Sequence, residues 1–272
     1  MNRRTNLVLA LGACWLAAGV ALADTPVIDG VVANERVFND FPDSSLSTTN
    51  GNSVNGGPGV SQVIFDESSF GTGGFANRHD ALLSDDGGAT GALFRIDDSY
   101  TFKTDLTLDV GSTSPRKEAG LRINSPVTGD ALFIVNSDAG EIVAFGGPFF
   151  SFNSEFGVSY TPGDTITMGF TLIGGGDGNG GVADTIQYFI DHPTAGYLAS
   201  PALPWSNLEL GPVNYRLGMY TQTQPDGSNA NEFVSTTFDN IMFTAVPEPS
   251  GLALLGLGAW VAAGRCLRPR RR

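Results

Sequence analysis

The feature that most constrains the fold is an alternation of apolar and polar side chains along Tyr100–Val110. The even positions are apolar apart from Thr104, and the odd positions are all polar. Because successive side chains of a β-strand point to opposite faces, this segment predicts a strand with one face on a core and the other in solvent. A similar alternation recurs over residues 164–173, 185–191 and 213–220.

The rest of residues 24–245 agrees with an all-β fold. We find no window of a dozen residues there with an apolar period of 3.6 that is free of glycine and proline, so no helix is expected. Short runs between clusters of Gly, Asn, Asp, Ser and Pro predict further strands. These runs span residues 31–38, 61–66, 91–96, 118–124, 130–136, 141–145 and 233–244. About a dozen strands in one domain predict an antiparallel β-sandwich.

The C-terminal end is built from three consecutive parts. The sequence Val-Pro-Glu-Pro-Ser at residues 246–250 is followed by an apolar run at 252–264 and then by five arginines at 265, 268, 270, 271 and 272. The run is shorter than the roughly 20 residues of a typical transmembrane helix, but flanking residues and snorkelling arginine stems bring it near the minimum. By the positive-inside rule the arginines stay cytoplasmic, so residues 24–245 face away from the cytoplasm.

The order of these parts resembles the PEP-CTERM sorting tail of bacteria that make exopolysaccharide. The matching residues are Pro247, Glu248 and Pro249. The resemblance implies that residues 246–272 are a sorting tail with a single transmembrane helix, processed near these residues by an exosortase-type enzyme of the inner membrane. An ordinary C-terminal membrane anchor is the alternative.

The N-terminal end agrees with export. Residues 1–23 hold two early arginines, an apolar stretch and a final Ala-Leu-Ala, which together predict a signal peptide. The alternative is a lipoprotein signal with Cys14 as the lipidated residue. The other cysteine is Cys266, so the body between the two ends has no disulfide or thiol chemistry.

The charge of the body limits its partners. The whole chain has a formal net charge of −13, but seven of its 15 basic residues lie in the two ends. The body therefore keeps eight basic residues against 27 acidic ones, a net charge of about −19. Binding of nucleic acid or anionic lipid requires a basic patch, so we expect neither. Such a surface would tolerate divalent cations, although solubility alone also explains it.

Several segments of residues 90–245 resemble the concanavalin A-like (laminin-G-like) jelly roll. They are YTFKTDLTLDV, KEAGLRIN, DALFIVN, the hairpin DTITMGFTLIGGGDGNGGVADTIQYFID, and FDNIMFT near the domain end. The resemblance implies the fold, with residues 24–245 as one domain. It does not imply an activity.

The spacing of carboxylates argues against catalysis. Glycosidases of this fold place two or three carboxylates on one strand face, and a retaining mechanism needs a pair about 5–5.5 Å apart. Glu118, Glu141, Glu155, Glu209 and Glu232 are isolated, and adjacent pairs such as Asp66 and Glu67 point opposite ways in a strand. We expect the two histidines, His79 and His192, to be structural residues of loops, so the chain is predicted not to be an enzyme.

A glycine-rich loop at residues 174–184 suggests the only cofactor that the sequence indicates. Asp177, Asn179 and Asp184 could supply oxygen ligands to calcium, and laminin-G-like relatives bind calcium beside a glycan site. The EF-hand pattern fails, because its sixth position is Val182 and its twelfth is Tyr188. A flexible hairpin loop without metal is the alternative.

One aromatic residue is a candidate for binding a ligand. Sugar faces stack on exposed aromatic rings. Trp205 is the only tryptophan of the body and lies in a proline-rich segment, which predicts a sugar-stacking platform, with burial in the core as the alternative.

Together these features predict a secreted, non-enzymatic protein of the cell envelope or exopolysaccharide matrix that binds a glycan. It is held at the membrane by its tail before processing and reaches the cell surface or matrix afterwards. A structural matrix or adhesion protein without saccharide specificity is one alternative, and a glycan-degrading enzyme is the other.

Overall fold

The structure is a computed structural model that describes residues 25–57, 61–95, 98–125, 129–174, 184–205 and 214–246. The predicted signal peptide, the sorting residues Pro247, Glu248 and Pro249, and the predicted transmembrane segment lie outside these residues. In the described part of the chain, no helix is long and apolar enough to cross a membrane.

The described residues form strands and one short helix. The strands are β1 (Gly30–Asn39), β2 (Ser45–Asn50), β3 (Gln62–Ser68), β4 (Asn77–Ser84), β5 (Tyr100–Val110), β6 (Lys117–Ser125), β7 (Gly129–Asn136), β8 (Ile142–Phe145), β9 (Phe150–Ser151), β10 (Thr165–Ile173), β11 (Asp184–His192), β12 (Gly196–Ala199), β13 (Leu203–Trp205), β14 (Arg216–Thr223) and β15 (Phe233–Ala245). The helix α1 (Phe152–Phe156) is capped by the Ser151 hydroxyl and ends at Gly157, whose positive φ suits a glycine.

The strands form two sheets in which every pairing is antiparallel. One sheet has seven strands in the order β1-β4-β14-β6-β7-β8-β9. The other has eight, in the order β12-β11-β10-β5-β15-β3-β2, with β13 also paired to β11. The apolar inner faces of both sheets meet in one core. The predicted all-β antiparallel sandwich is confirmed.

The alternation that predicted β5 is seen in its burial. Tyr100, Phe102, Leu106 and Leu108 are buried, whereas the odd positions between them are partly exposed. β5 pairs with β10 on one side and with β15 on the other, so it lies inside the eight-stranded sheet. The predicted strands at 164–173 and 185–191 correspond to β10 and β11, which also bury their apolar positions.

Two sequence predictions of secondary structure are wrong. No strand forms in the described part of residues 91–96, where Phe94 makes only an isolated bridge to Tyr215. There the Asp98 carboxylate accepts the Arg95 N–H at 2.6 Å and turns the chain. The chain also forms α1 and the strands β2, β4, β9, β12 and β13, which the sequence patterns did not indicate.

The missed strand β4 is the most informative, because it lies inside the seven-stranded sheet between β1 and β14. Its inward positions include Asn77 and His79, so its apolar pattern is broken. His79 was predicted to lie in a loop, but it is fully buried and its ring stacks on Phe65 of the opposite sheet, with 5.3 Å between ring centroids. Polar residues are tolerated there because their hydrogen bonds are satisfied.

The hydrogen bonds of these residues are satisfied in a buried cluster centred on Glu67. His79 Nδ1 accepts the Arg36 backbone N–H at 3.0 Å, so the ring carries its proton on Nε2 and donates it to Glu67 Oε2 at 3.1 Å. Glu67 Oε1 accepts from the Ser44 hydroxyl at 2.5 Å and from Asn77 Nδ2 at 2.6 Å. Burial by itself raises the pKa of Glu67, but the hydrogen bonds from His79, Ser44 and Asn77 outweigh it and leave the pKa below its usual value.

We predict that Glu67→Gln destabilises the protein by about 2 kcal/mol, which lowers the melting temperature by roughly 4–8 °C. A glutamine amide would direct its own N–H groups toward the donors of His79 or of Ser44 and Asn77. Because the pKa of Glu67 is depressed in the folded state, its contribution is fully present above about pH 4.5 and is lost as the pH falls through the folded pKa.

The measurement is urea denaturation of the two proteins at pH 7 and at several lower values. Glu155→Gln, at an exposed position of α1, is the matched control and should change stability by less than about 0.5 kcal/mol. A Glu67→Gln protein as stable at pH 7 as this control would contradict the account of the cluster.

Candidate functional site

The predicted sugar platform, Trp205, lies in the core and is only 1 % exposed. Strand β13 pairs with β11 and turns the indole inward, where its six-membered ring lies against Gly147. The prediction of an exposed stacking surface at Trp205 is therefore wrong. The alternative, burial in the core, is what the structure has.

The predicted calcium ligands lie almost entirely outside the described residues. Asp177 and Asn179 belong to residues 175–183, of which nothing is described. Asp184 begins β11 and is buried, with its Cα paired to that of Trp205. Among the residues that the structure does describe, no group of three or more His, Cys, Asp or Glu side chains could hold a metal ion. Calcium binding stays a prediction.

Two glutamates and the second histidine lie in the interior of the fold. Glu67 is buried while its neighbour Asp66 is exposed, as their adjacency predicts. Glu232 pairs with the buried Lys117 at 3.2 Å. His192 is buried at the end of β11, where Nδ1 accepts the Ala195 N–H at 3.3 Å and Nε2 lies 3.1 Å from the Ser159 carbonyl oxygen.

The outer face of the seven-stranded sheet holds a ring of ion pairs. Arg78 on β4 contacts both Asp80 and Asp130, each at 3.0 Å. Arg122 on β6 contacts the same two carboxylates, with 2.8 Å to Asp130. Burial by itself lowers the pKa of Arg78 and raises that of Asp130. The oppositely charged neighbours outweigh this effect, so the pKa of Arg78 is raised and that of Asp130 is lowered. The four charges neutralise one another.

A buried tyrosine lies beside this ring. Tyr220 on β14 is directly opposite Asp80 in register, and the Arg78 guanidinium lies 4.9 Å from its ring centroid. Its hydroxyl donates to Glu118 at 3.0 Å, and burial together with this carboxylate raises its pKa well above the usual value. Arg78 Nη2 is the one buried nitrogen of the ring without a described partner. Most polar groups of this face are thus committed to one another.

The outer face of the eight-stranded sheet is different, because it contains an open cleft of about 500 Å³. The cleft lies where β5, β10 and β15 run side by side. It is lined by Asn55, Gly56, Ser61, Lys103, Asp105, Thr167, Asn240, Ile241 and Met242.

A β-bulge in β15 shapes this cleft. The pairing of β15 with β5 shifts between Asp239 and Met242, and Asn240 takes a left-handed conformation with φ 49°. Three contacts hold the bulge: the Thr104 hydroxyl donates to the Asp239 carbonyl at 2.7 Å, Ser61 Oγ accepts the Ile241 N–H at 2.8 Å, and Asn55 Oδ1 accepts the Phe243 N–H at 2.7 Å. The irregular backbone is therefore built into the strand.

Asp105 is the best-positioned side chain of the cleft. Its carboxylate accepts from the Thr167 hydroxyl on one side and from Asn240 Nδ2, at 2.7 Å, on the other. Lys103 lies two residues earlier on the same face of β5. The cleft therefore presents a fixed carboxylate, an ammonium group, hydroxyls and amides.

Two aromatic rings lie on the same face of the sheet. Tyr197 on β12 is 66 % exposed, and its ring lies 5.9 Å from that of Phe189 on β11. Phe189 extends over Gly169, where an added Cβ would lie 2.5 Å from the Phe189 ring and 2.7 Å from Lys103 Cβ. Gly169 thus lets the aromatic ring lie flat on the sheet and reach toward the cleft.

Sequence reasoning missed this site for two reasons. Asp105 and Lys103 were recognised only as the polar face of a strand, and the phrase containing Asn240 only as a fold signature. A signal was present in that phrase, since asparagine tolerates the left-handed conformation and interrupts the alternation of β15. The exposure of Tyr197 depends on its position at a sheet edge, which no local pattern encodes.

A second cleft, of about 590 Å³, lies among loops and is lined by Phe41, Phe70, Gly71, Thr72, Gly73, Gly74, Pro225 and Gly227. Four of these residues are glycines, so the cleft offers few side-chain groups that could select a ligand. The cleft on the eight-stranded sheet is therefore the better candidate.

Solved structures with a similar fold include enzymes and binding proteins. An alginate lyase from Corynebacterium sp. is 10 % identical with a TM-score of 0.47, and the match covers 82 % of this chain and 97 % of that one. Lectin II from Ulex europaeus is 11 % identical with a TM-score of 0.42, over 82 % and 96 % of the two chains. The carbohydrate binding module CBM66 from Bacillus subtilis is 13 % identical with a TM-score of 0.39, over 79 % and 96 %. These likenesses are too distant to carry an argument about activity.

The sequence comparisons concern the C-terminal end. A comparison with curated proteins finds no match for the sequence. A model of the PEP-CTERM protein-sorting motif matches residues 245–272, starting at the last residue of β15. The chain therefore ends in a PEP-CTERM sorting motif, the signal for exosortase-type processing, which implies export and C-terminal membrane anchoring before processing.

Proposed function

We propose that the exported protein binds a glycan of the cell envelope or extracellular matrix, without catalysis, through the cleft on its eight-stranded sheet. The observation that carries this proposal is an open cleft of about 500 Å³ with Asp105 held in place inside it and the exposed Tyr197 ring on the same sheet face. The sorting motif supports a location where such glycans occur.

The chemistry of the cleft suits a saccharide. Sugars carry hydroxyl groups, which hydrogen-bond to carboxylates and amides, and apolar C–H faces, which stack on aromatic rings. Asp105, Asn240 and Lys103 supply the first kind of contact. Tyr197 supplies the second, since Tyr197, Asp191 and Thr167 are register partners on successive strands and each step spans about 4.8 Å. A chain of sugars crossing the strands would contact both.

The single carboxylate among the described lining residues favours binding over hydrolysis. A retaining glycosidase needs two carboxyl groups facing the same bond. Of the described residues that line the cleft, Asp105 is the only acid. Asp239 lies opposite Asp105 in register, but its carboxylate accepts the Asn240 N–H at 2.7 Å and it does not line the cleft. We therefore propose a binding module, with an exosortase-type enzyme as its processing partner.

We predict saturable binding of the exported protein to at least one polysaccharide of a panel that includes the exopolysaccharide of the producing cells. Tyr197→Ala should weaken that binding roughly three- to tenfold, because an aromatic stacking contact contributes about 0.5–1.5 kcal/mol. The measurement is isothermal titration calorimetry in a buffer with and without calcium.

Phe149→Ala is the matched control, since Phe149 is 69 % exposed and precedes the edge strand β9 of the other sheet. Its affinity should equal that of the wild type. The absence of binding across the panel would overturn the proposal and favour a structural matrix protein. Turnover of any polysaccharide, abolished by Asp105→Asn, would favour an enzyme.

The opposite sheet face should affect stability and leave glycan affinity unchanged. We predict that Asp130→Asn destabilises the protein by about 1–2 kcal/mol at pH 7, since it leaves Arg78 and Arg122 with one carboxylate between them. The pKa of Asp130 is depressed in the folded state, so the difference is complete above about pH 4 and shrinks as the pH falls through the folded pKa.

Urea denaturation measures this difference, with the exposed Asp85→Asn as control. Calorimetry then measures glycan affinity of the folded variant. A large loss of glycan affinity in Asp130→Asn at unchanged stability would place the binding face on the seven-stranded sheet instead.

A further inference from the structure

The two outer faces of the sandwich carry very different charge. At the outward positions of β4, β6, β7 and β14 in the seven-stranded sheet, three arginines balance three carboxylates: Arg78, Arg122, Arg216, Asp80, Glu118 and Asp130. On the eight-stranded sheet, five carboxylates face one ammonium group: Asp66, Asp105, Asp109, Asp191, Asp239 and Lys103. The strands that hold the cleft therefore carry an excess of negative charge, whereas those four strands of the other sheet do not.

The carboxylates of this face are not neutralised by cations. The Asp66 carboxylate accepts from the Ser235 hydroxyl, Asp105 from Thr167 and Asn240, and Asp239 from a backbone N–H. In the described residues, every ion pair involves a carboxylate on the other face or in the interior. The face thus keeps its negative charge available to a ligand.

Strand register arranges part of this charge in a row. Tyr197, Asp191, Thr167, Asp105 and Asp239 are successive partners on β12, β11, β10, β5 and β15. With strands about 4.8 Å apart, Asp191 and Asp105 are separated by about 10 Å, and Asp105 and Asp239 by about 5 Å. The row starts at an exposed aromatic ring, passes the cleft at Thr167 and Asp105, and ends at Asp239.

We infer that the ligand of this face is a polysaccharide with free primary amines, that is, an amino-sugar polymer whose nitrogen is not acylated. The inference rests on the proposed function and specifies the class of glycan. Ammonium groups donate charge-assisted hydrogen bonds to carboxylates, and a cation over the Tyr197 ring is attracted by its π-system. The field of the face attracts such a polymer and repels uronate-rich or sulfated ones.

The charge distribution favours this ligand over a neutral glycan. A neutral sugar would form only uncharged hydrogen bonds with these carboxylates, and it would leave in place the repulsion between Asp105 and Asp239, which lie opposite each other in register. A cationic polymer removes that repulsion when it binds. Its amines recur along the chain, and the carboxylates recur along the row, so several pairs form together.

The test compares two probes that differ only in the acyl group: a hexamer of glucosamine and a hexamer of N-acetylglucosamine. The exported protein is titrated with each at about pH 5, where the sugar amines are protonated and which is above the ordinary aspartate pKa of about 3.9. We expect the glucosamine hexamer to bind at least tenfold more tightly. This preference should fall severalfold at about 1 M salt, where the Debye length is only about 3 Å.

Two double variants test whether the preference for the amine probe comes from the row of carboxylates. Asp191→Asn combined with Asp239→Asn should reduce the preference for the amine probe to threefold or less. Asp85→Asn combined with Asp138→Asn, at exposed turn positions away from this face, removes the same charge and should leave the preference unchanged. Tyr197→Ala should weaken the binding of both probes. Thermal melts verify that every variant is folded.

The outcomes distinguish a failure of the amine preference from a failure of the proposed function. Equal affinity for the two hexamers overturns the amine preference and leaves glycan binding intact. The same holds if neither hexamer binds but another polysaccharide of the panel does. If no polysaccharide binds, both the amine preference and the proposed function are overturned. A lysine hexamer that binds as tightly as the glucosamine hexamer overturns the glycan specificity, since charge alone would then explain the binding.

Discussion

The pairing of β5 with β15 is the interaction on which the rest of the structure depends. These strands lie inside the eight-stranded sheet, and their inner faces contribute Phe102, Leu106, Phe238 and Phe243 to the core. The bulge within the same pairing opens the cleft on the outer face. Since side chains of a strand alternate between faces, one extra residue on β15 can reshape the surface while the core contacts on either side keep their positions.

A body without cysteines must be stabilised by burial, and here burial includes many polar groups. His79, Glu67 and Asn77 fill a gap between the sheets, and Lys117 is enclosed with Glu232. Such groups are tolerated only when each one has hydrogen-bond partners, so they specify which strands pair and in which register. A buried polar group without a hydrogen-bond partner would lower the stability by as much as several apolar contacts add.

Sequence reasoning succeeded where one local period decides the outcome and failed where partners are distant. The alternation in β5, β10 and β11 predicted both the strands and their buried faces. β4 was missed because its inward His79 and Asn77 are acceptable only beside Glu67, which comes from another strand. Trp205 was misassigned because the pairing of β13 with β11, and not its own segment, turns the ring inward. The cleft required the register of three strands, which a pattern of residue types does not contain.

The two sheet faces carry their charges in different ways. Arginines on the seven-stranded sheet are held in reciprocal ion pairs, where their desolvation is offset by Asp80 and Asp130. The eight-stranded sheet has almost no cations, so its carboxylates remain uncompensated and its field extends into solvent. Moving one arginine from the first face to the second would weaken both, since a ring carboxylate would lose its partner and the acidic row would lose its charge. The sequence therefore keeps its reciprocal ion pairs and its uncompensated carboxylates on opposite sides of one core.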